Sequence, residues 1–218
     1  MIISKTTYEE QVISFIYNCL LKGELKPGDQ IKENRLAIKL GISRAPIREA
    51  LRELISNGII EYRPRVGNFV MNLSPKDIVD SYITRGVLEG YAARDAIDNF
   101  SVYGINRLYK MTENMEELAS SGKHIKLIDL GDKFHEMIFS RSDNKQLVGF
   151  TKKLSIKSHL MFFRYLAMLY SPSEIGERHK IIVDALKSGN AEQVEACIRN
   201  HYYETGTKIA NLKETESK

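Results

Sequence analysis

The sequence predicts a mainly α-helical chain in two parts: three helices and a β-hairpin, then an all-α bundle of about six helices. Apolar residues recur at helical spacing through most of the 218 residues. The β-like runs both fall between residues 59 and 71. Ser74-Pro75 then has the form of a helix start, and the patterns after it are helical. We therefore expect one domain over 1–74, a second over 75–213 and a polar tail over 214–218.

The first part combines helices with a short hairpin. An amphipathic helix ends before the turn-forming pair Pro27-Gly28. Gly41 and Gly58 favour the ends of two further helices, while Pro64 and Gly67 separate two β-like runs. The expected elements are helices over 7–22, 33–40 and 43–57 and strands over 59–63 and 68–71.

The second part shows helical patterns only. Asp77 follows Ser74-Pro75 and suits the positive end of a helix dipole. Ser171 and Glu174 have the spacing of a capping box, with Pro172 in the first turn. The expected helices run over 75–98, 102–120, 124–141, 145–169, 172–188 and 191–212. Such a set is typical of an all-α bundle.

Composition excludes several classes of protein. No stretch of eighteen apolar residues occurs, so we expect no membrane span. The first residues lack the apolar core of a secretory signal. The chain has two cysteines, Cys19 and Cys197, which the proposed boundary assigns to different domains, so we expect no disulfide framework. These features together favour a cytoplasmic protein.

The basic charge is concentrated near the N-terminus. Residues 1–74 hold 11 Lys and Arg against 8 Asp and Glu, and residues 32–65 hold 8 against 4. The other 144 residues are nearly balanced, at 21 against 20. A local basic excess is expected of a module that meets phosphate, although a solvated basic face has the same composition.

Two short helices with a glycine between them form the strongest motif. Gly41 permits the tight turn that two crossed helices require. Arg44 and Arg48 follow in the first turns of the second helix and project from one face. The N-terminal residues of a recognition helix reach base edges, and arginine can pair with guanine through two hydrogen bonds. The motif therefore predicts a winged helix-turn-helix that binds double-stranded DNA.

Three runs of sequence carry a family resemblance: PGDQI, LAIKLGISRAPIREALREL and NGIIEYRPRVGNFV. They resemble the DNA-binding domain of the GntR family of bacterial transcription regulators, over about residues 7–71. Ala45 departs from the family pattern, which often has Thr there, so a hydroxyl contact to DNA is lost. The candidate DNA-binding residues are Asn34, Arg35, Ser43, Arg44, Ala45, Arg48, Arg52, Arg63, Arg65, Gly67 and Asn68.

Three histidines of the second part fall on three different predicted helices. These are His135, His179 and His201, and His179 has apolar neighbours at helical spacing. A single histidine in such a setting is more often a core residue than a ligand. Three of them could nevertheless converge on a divalent metal ion, which imidazole suits.

Residues 75–212 resemble the helical ligand-binding domain of the FadR subgroup of that family. The resemblance implies a divalent metal such as zinc or nickel, held by an Asp and three His, that helps bind a small carboxylate effector. The Asp position, four residues before the first histidine, is Gly131 here. Asp132 lies about 100° further round the helix and could substitute, or water could complete the site. The resemblance also places Arg85 on the effector carboxylate, whereas spacing alone indicates a surface ion pair with Glu89.

The sequence therefore predicts a ligand-responsive transcription regulator that binds a palindromic operator as a homodimer, without a membrane partner. Two alternatives remain open. The helical domain could only dimerise, with neither metal nor effector. Three histidines with open coordination positions could instead serve a metal-dependent enzyme, but no general base with a motif of its own supports this, and we expect no enzyme.

Overall fold

The protein's structure is a computed structural model. It describes residues 7–216, and within them all side chains except those of 155–161, 163 and 167. The chain divides into two compact units between Leu73 and Ser74. The first unit contains helices and a small sheet, and the second contains helices, which confirms the predicted fold class. Within the described residues, no helix is both long and apolar enough to cross a membrane.

The first unit packs three helices behind a small sheet. Thr7 caps the first helix through a capping box with Glu10, which the sequence analysis did not identify. Gly41 adopts the left-handed conformation that ends the second helix, with φ at 66°. The elements are α1 (Tyr8–Leu21), β1 (Gln30–Ile31), α2 (Glu33–Leu40), α3 (Arg44–Ser56), β2 (Ile60–Arg63) and β3 (Gly67–Val70).

The sheet has three strands rather than the two of the predicted hairpin. Strand β1 pairs antiparallel with β3, which lies between β1 and β2. Residues 30–31 are too few to show a two-residue periodicity, so this strand has no sequence signal. Its pairing brings Gln30 beside the turn between β2 and β3, where Gln30 Nε2 donates to the carbonyl oxygen of Val66 over 2.8 Å.

The second unit begins at a capping box between Ser74 and Asp77 and contains a second one between Ser171 and Glu174. Its elements are α4 (Pro75–Asp95), a 3₁₀ turn (Ile97–Asn99), α5 (Val102–Ser120), α6 (His124–Phe139), α7 (Lys145–Leu169), α8 (Pro172–Ser188) and α9 (Ala191–Glu216). Helix α4 is three residues shorter than predicted, because a 3₁₀ turn replaces its last turn. Helix α9 continues to Glu216 and includes part of the predicted tail, while residues 217–218 lie outside the described range.

Helices α4 and α9 approach each other closely and run antiparallel. A Cβ at Gly206 would lie 2.5 Å from Tyr82 Cβ, and one at Gly90 would lie 2.9 Å from the carbonyl oxygen of Glu195. Glycine at these positions is what allows the two backbones to pack at this distance. The pair holds Arg85 and Glu89 of α4 in the interior of the unit, where both side chains are buried.

Candidate functional site

The first unit presents an arginine-rich surface at the start of α3. Ser43 is the N-cap of α3, and Arg44 and Arg48 are exposed in its first two turns. The opposite face of the helix is buried through Ile47, Ala50, Leu51 and Leu54. This amphipathic arrangement fixes which side of α3 is presented to a partner, and it is the side that carries the arginines.

Arg48 is held by a residue of the preceding helix. Its Nε donates to Glu33 Oε2 over 3.0 Å, and both side chains are partly exposed. A guanidinium has four further N–H groups beyond Nε, so this pair leaves donors that can reach a base edge. The contact joins residues fifteen positions apart, and sequence spacing could not indicate it.

The wing is a tight turn with an arginine in an unfavourable conformation. The amide of Val66 donates to the carbonyl oxygen of Arg63 over 3.0 Å, with Pro64 and Arg65 between them. Arg65 has a φ of 65°, where glycine is the preferred residue. Gly67 follows with a φ of 123°. The turn therefore presents an exposed arginine from a backbone position that a glycine would occupy with less strain.

The remaining predicted DNA-binding residues differ in exposure. Asn34 and Arg35 are exposed on α2, and Ala45 and Arg52 are exposed on α3. Asn68 is only 7% exposed, because it pairs within the sheet opposite Tyr62 and Ile31. The structure thus brings most of the set to the surface but leaves Asn68 little area to offer a ligand.

The second unit contains a partly open cavity of about 70 Å³, several times the volume that one buried water requires. Helices α4, α5, α6, α8 and α9 and residues near the end of α7 contribute to its lining. The three predicted histidines meet in it: one nitrogen of each lies within 4.8 Å of the others. Their ring centroids are 4.9 to 5.5 Å apart. The convergence that spacing left open is therefore present in the fold.

The histidines of α8 and α9 are held as neutral bases. Burial lowers the pKa of His179 to about 3, and the nearby His135 adds to this effect. Burial also holds the pKa of His201 well below its usual range. His179 Nδ1 lies 2.7 Å from the carbonyl oxygen of Ile175, which can only accept, so Nδ1 carries the proton and Nε2 has a lone pair. Neutral imidazole is the form that binds metals.

Arg85 and Glu89 form a buried pair beside the histidines. Arg85 Nε donates to Glu89 Oε1 over 2.7 Å, and the hydroxyl of Tyr202 donates to Glu89 Oε2 over 2.7 Å. His135 Nδ1 lies 3.2 Å from the same Oε2. The predicted ion pair is thus present, but it lies in the interior rather than on the surface.

The charges of this pair stabilise each other. Burial alone would raise the pKa of Glu89, but Arg85 and His135 together lower it to about 2. Burial likewise opposes the charge on Arg85, but the Glu89 carboxylate outweighs it and raises the pKa of Arg85. Arg85 lies over the ring of Tyr202 and lines the cavity. It therefore brings a permanent positive charge to the cavity wall.

The donor set fits a divalent metal ion. It consists of three imidazoles from three helices, and His201 Nδ1 is buried without a hydrogen-bond partner. Asp132 and Gly131 line the same cavity, although Asp132 is not among the residues whose donor atoms come within 4.8 Å of one another. A Cβ at Gly131 would meet nothing within 4 Å. At position 131, where the family pattern has an aspartate, the cavity wall therefore has room for a side chain.

A second arginine, which sequence reasoning did not identify, also lines the cavity. Arg178 donates to Glu204, to the carbonyl oxygen of His201 over 2.9 Å and to Thr205 Oγ1 over 3.2 Å. It also lies over the ring of Tyr170, 4.2 Å from the centroid. In the sequence, Arg178 directly precedes His179. Adjacent residues of a helix ordinarily face different directions, so this position did not indicate that both side chains line the same cavity. Two arginines and three imidazoles together favour an anionic ligand.

Comparison with protein families gives two matches that follow the division into units. The model of the gntR family of bacterial regulatory proteins matches residues 8–70, and the FCD domain model matches residues 80–204. The second match alone covers more than half of the chain. The two domains are those of a transcription regulator, and neither domain nor the relatives below indicate an enzyme.

Curated relatives align over most of their length. A probable D-xylose utilization operon transcriptional repressor from Paenarthrobacter nicotinovorans is 32% identical over 202 residues, covering 91% of this chain and 87% of the relative. The transcriptional repressor RspR from Escherichia coli is 25% identical, covering 93% and 87%. The solved structure of E. coli McbR/YncC has a TM-score of 0.75 at 23% identity, covering 97% of this chain and 99% of that one, which shows a shared fold.

Proposed function

We propose that this chain is a ligand-responsive repressor, on the premise that it belongs to the gntR family of bacterial regulatory proteins and carries an FCD domain. It would bind a palindromic operator as a homodimer in the cytoplasm. A small organic acid in the cavity of the second unit would change its affinity for DNA. Repression rather than activation is proposed because two of its relatives are described as repressors.

The DNA-binding proposal is supported by the exposed face of α3. Arg44 and Arg48 lie in the first turns of a helix that follows a left-handed glycine turn, as in a helix that enters the major groove. The wing arginines Arg63 and Arg65 are exposed on the same unit and suit contacts to phosphate or to the minor groove. Asn34, Arg35 and Arg52 would add contacts at the rim.

The sensing proposal rests on one observation, the meeting of three imidazoles and two arginines in one cavity. We assign His135, His179 and His201 as ligands of a divalent metal, with Asp132 or water completing the site. When bound, the metal would offer open coordination positions to a carboxylate oxygen. Arg85 would pair with that carboxylate through the N–H groups that Glu89 does not occupy, since arginine matches carboxylate geometry.

The two units would be coupled through a difference between the acid's affinities for the DNA-bound and the DNA-free forms of the protein. An acid that binds better to the DNA-free form weakens operator binding by the ratio of its affinities for the two forms. The same ratio must appear in reverse, as weaker acid binding to the operator complex. Measuring both directions tests whether the cavity is the regulatory site.

Selection of bound DNA from a random pool tests the DNA-binding proposal. The expected result is an enriched inverted repeat whose half-site spacing reflects a two-fold dimer. Arg48→Ala is expected to weaken binding to that sequence by about 1–3 kcal/mol, if Arg48 pairs with a guanine. Arg107→Ala is the matched control, since Arg107 is exposed like Arg48 but lies on α5 in the second unit. No enrichment over random DNA would contradict the proposal.

Thermal unfolding of metal-stripped and metal-loaded protein tests the sensing proposal. Small hydroxy acids should raise the melting temperature of the loaded protein in proportion to the logarithm of their concentration. D-xylose serves as a neutral control, because it lacks the carboxylate on which the assignment of Arg85 depends. A helical domain that only dimerises would show no shift with any acid and bind no metal.

A further inference from the structure

A stripe of exposed apolar side chains follows one face of α4. Ile83, Val87 and Tyr91 recur every four residues, and they are 41%, 44% and 51% exposed. Positions four apart lie on one face of a helix. Arg85, which lines the cavity, and the buried Glu89 lie two positions either side of Val87 and therefore on the opposite face. The stripe is thus separate from the cavity and from the packing of α4 against α9.

Helix α9 extends this stripe into a patch. Gly86 of α4 contacts Tyr202 of α9, and the two helices are antiparallel. In an antiparallel pair, the residues that come one position after the contacts lie on the same side of both helices. Tyr203, which is 51% exposed, therefore lies beside Val87. Four exposed apolar side chains on two adjacent helices are more than the isolated examples common on protein surfaces.

The charges that flank the stripe are arranged symmetrically about Val87. Ile83 and Tyr91 lie four residues before and after it. Asp80 and Arg94 lie seven residues before and after it, carry opposite charges and are both exposed. If a second copy of α4 crossed antiparallel at Val87, Ile83 would meet the partner's Tyr91 and Asp80 would meet the partner's Arg94.

We propose that this surface, the α4 stripe with Tyr203, is the two-fold interface of the homodimer. A two-fold interface must be self-complementary: residue i contacts residue j, and j contacts i. The order of charges and apolar residues about Val87 has this property, which a surface for an unrelated partner has no reason to show. The inference rests on the homodimer of the proposed function and specifies which face forms it.

The exposed charges would set the register rather than the strength of the contact. Asp80 already pairs with Lys76, and Arg94 with Glu195, both at the surface. Exposed pairs contribute little to affinity, but like charges placed opposite each other oppose association. The central apolar residues would therefore carry the association, with Val87 closest to the symmetry axis.

Disulfide cross-linking of the full-length chain tests the symmetry directly. A cysteine on a two-fold axis meets its own copy, so Val87→Cys should form a covalent dimer under mild oxidation, in a background with Cys197→Ser. Ile83→Cys should not, because the two copies of residue 83 would be offset by about 12 Å along the helix axes. A mixture of Ile83→Cys and Tyr91→Cys proteins should cross-link.

Mass measurement by analytical ultracentrifugation completes the test. Val87→Glu should raise the dimer dissociation constant at least a hundredfold, while the control Val102→Glu, at a valine that is 79% exposed on α5, should leave it unchanged. Asp80→Arg should weaken the dimer, and adding Arg94→Asp should restore it. A Val87→Glu variant that dimerises like the wild type overturns the interface but leaves the regulator intact. A wild-type chain that is monomeric with and without DNA overturns the homodimer itself.

Discussion

Gly131→Asp should convert the three-histidine cluster into a four-ligand site. Gly131 lies on α6 one helical turn before His135, about 6 Å along the axis and about 40° round it. It lines the cavity, and a Cβ there would meet nothing within 4 Å. An aspartate at this position can therefore extend into the space beside the imidazoles without displacing a neighbour, and it would add one anionic oxygen to three imidazole nitrogens.

The expected gain in affinity for zinc or nickel is at least tenfold, which corresponds to about 1.4 kcal/mol. Isothermal titration calorimetry of metal-stripped protein would measure it. Gly131→Ala is the first control: it removes the helix penalty of glycine, worth about 0.5–1 kcal/mol of stability, but supplies no ligand. Gly149→Asp is the second, because Gly149 is also in a helix with nothing within 4 Å of its Cβ position. It lies on α7 and is not among the residues that line the cavity.

The two controls separate three effects. A rise in metal affinity in Gly131→Asp alone is the predicted result. Equal affinity in Gly131→Asp and Gly131→Ala would show that the metal, if bound, is not placed between the three imidazoles and this turn of α6. A rise in all three variants would indicate a general effect of stability or charge, and would equally refute the reasoning.

Three further predictions concern stability and binding. Arg65→Gly should leave the unfolding free energy unchanged or raise it, because glycine accepts a φ of 65° without strain. The same change should weaken operator binding in a fluorescence anisotropy titration. Unchanged binding would remove Arg65 from the DNA-contacting set. Glu89→Gln should lower the unfolding free energy, measured in urea, by about 3–5 kcal/mol, since Arg85 would keep a buried charge without a counter-ion. Tyr202→Phe should lower the unfolding free energy by about 1 kcal/mol, because only one hydrogen bond is lost. Similar losses in both variants would contradict the ion pair. The unfolding free energy of metal-free protein should fall as the pH drops from about 7 to about 4, because the pKa of His179 is lowered to about 3 in the folded state and the unfolded chain takes up the proton first. His179→Gln should make this dependence less steep, and the part that remains comes from His201, whose pKa is lowered in the same way.

The fold was predictable wherever local signals were strong. Ser74 and Ser171 begin helices through capping boxes that the sequence shows directly. Strand β1 was not predictable, because two residues cannot display a period and the pairing with β3 is a tertiary contact. The end of α4 at Asp95 was also missed, since the apolar residues Ala96 and Ile97 fit a 3₁₀ turn as well as a continued helix.

The residue types of the site were predictable from the sequence, but their arrangement in space was not. Helical spacing singled out His135, His179 and His201 but left open whether they converge, and the family resemblance favoured convergence. Glu89 was interpreted as half of a surface pair, because a spacing of four residues has the same appearance whether the helix face is buried or exposed. Only the packing of α9 on α4 shows that the pair is interior and that the hydroxyl of Tyr202 completes it.

Helix α4 links the cavity to the proposed dimer interface through its two opposite faces. Arg85 and Glu89 belong to the cavity network, and Val87 between them belongs to the exposed stripe. A ligand that binds Arg85 would act on the helix that also carries Val87, and a resulting tilt of α4 would change how two copies cross. A Val87→Glu monomer would then still bind metal and acid, but acid would no longer alter its affinity for a half-site. Retention of the acid effect in that monomer would mean that regulation operates within one chain.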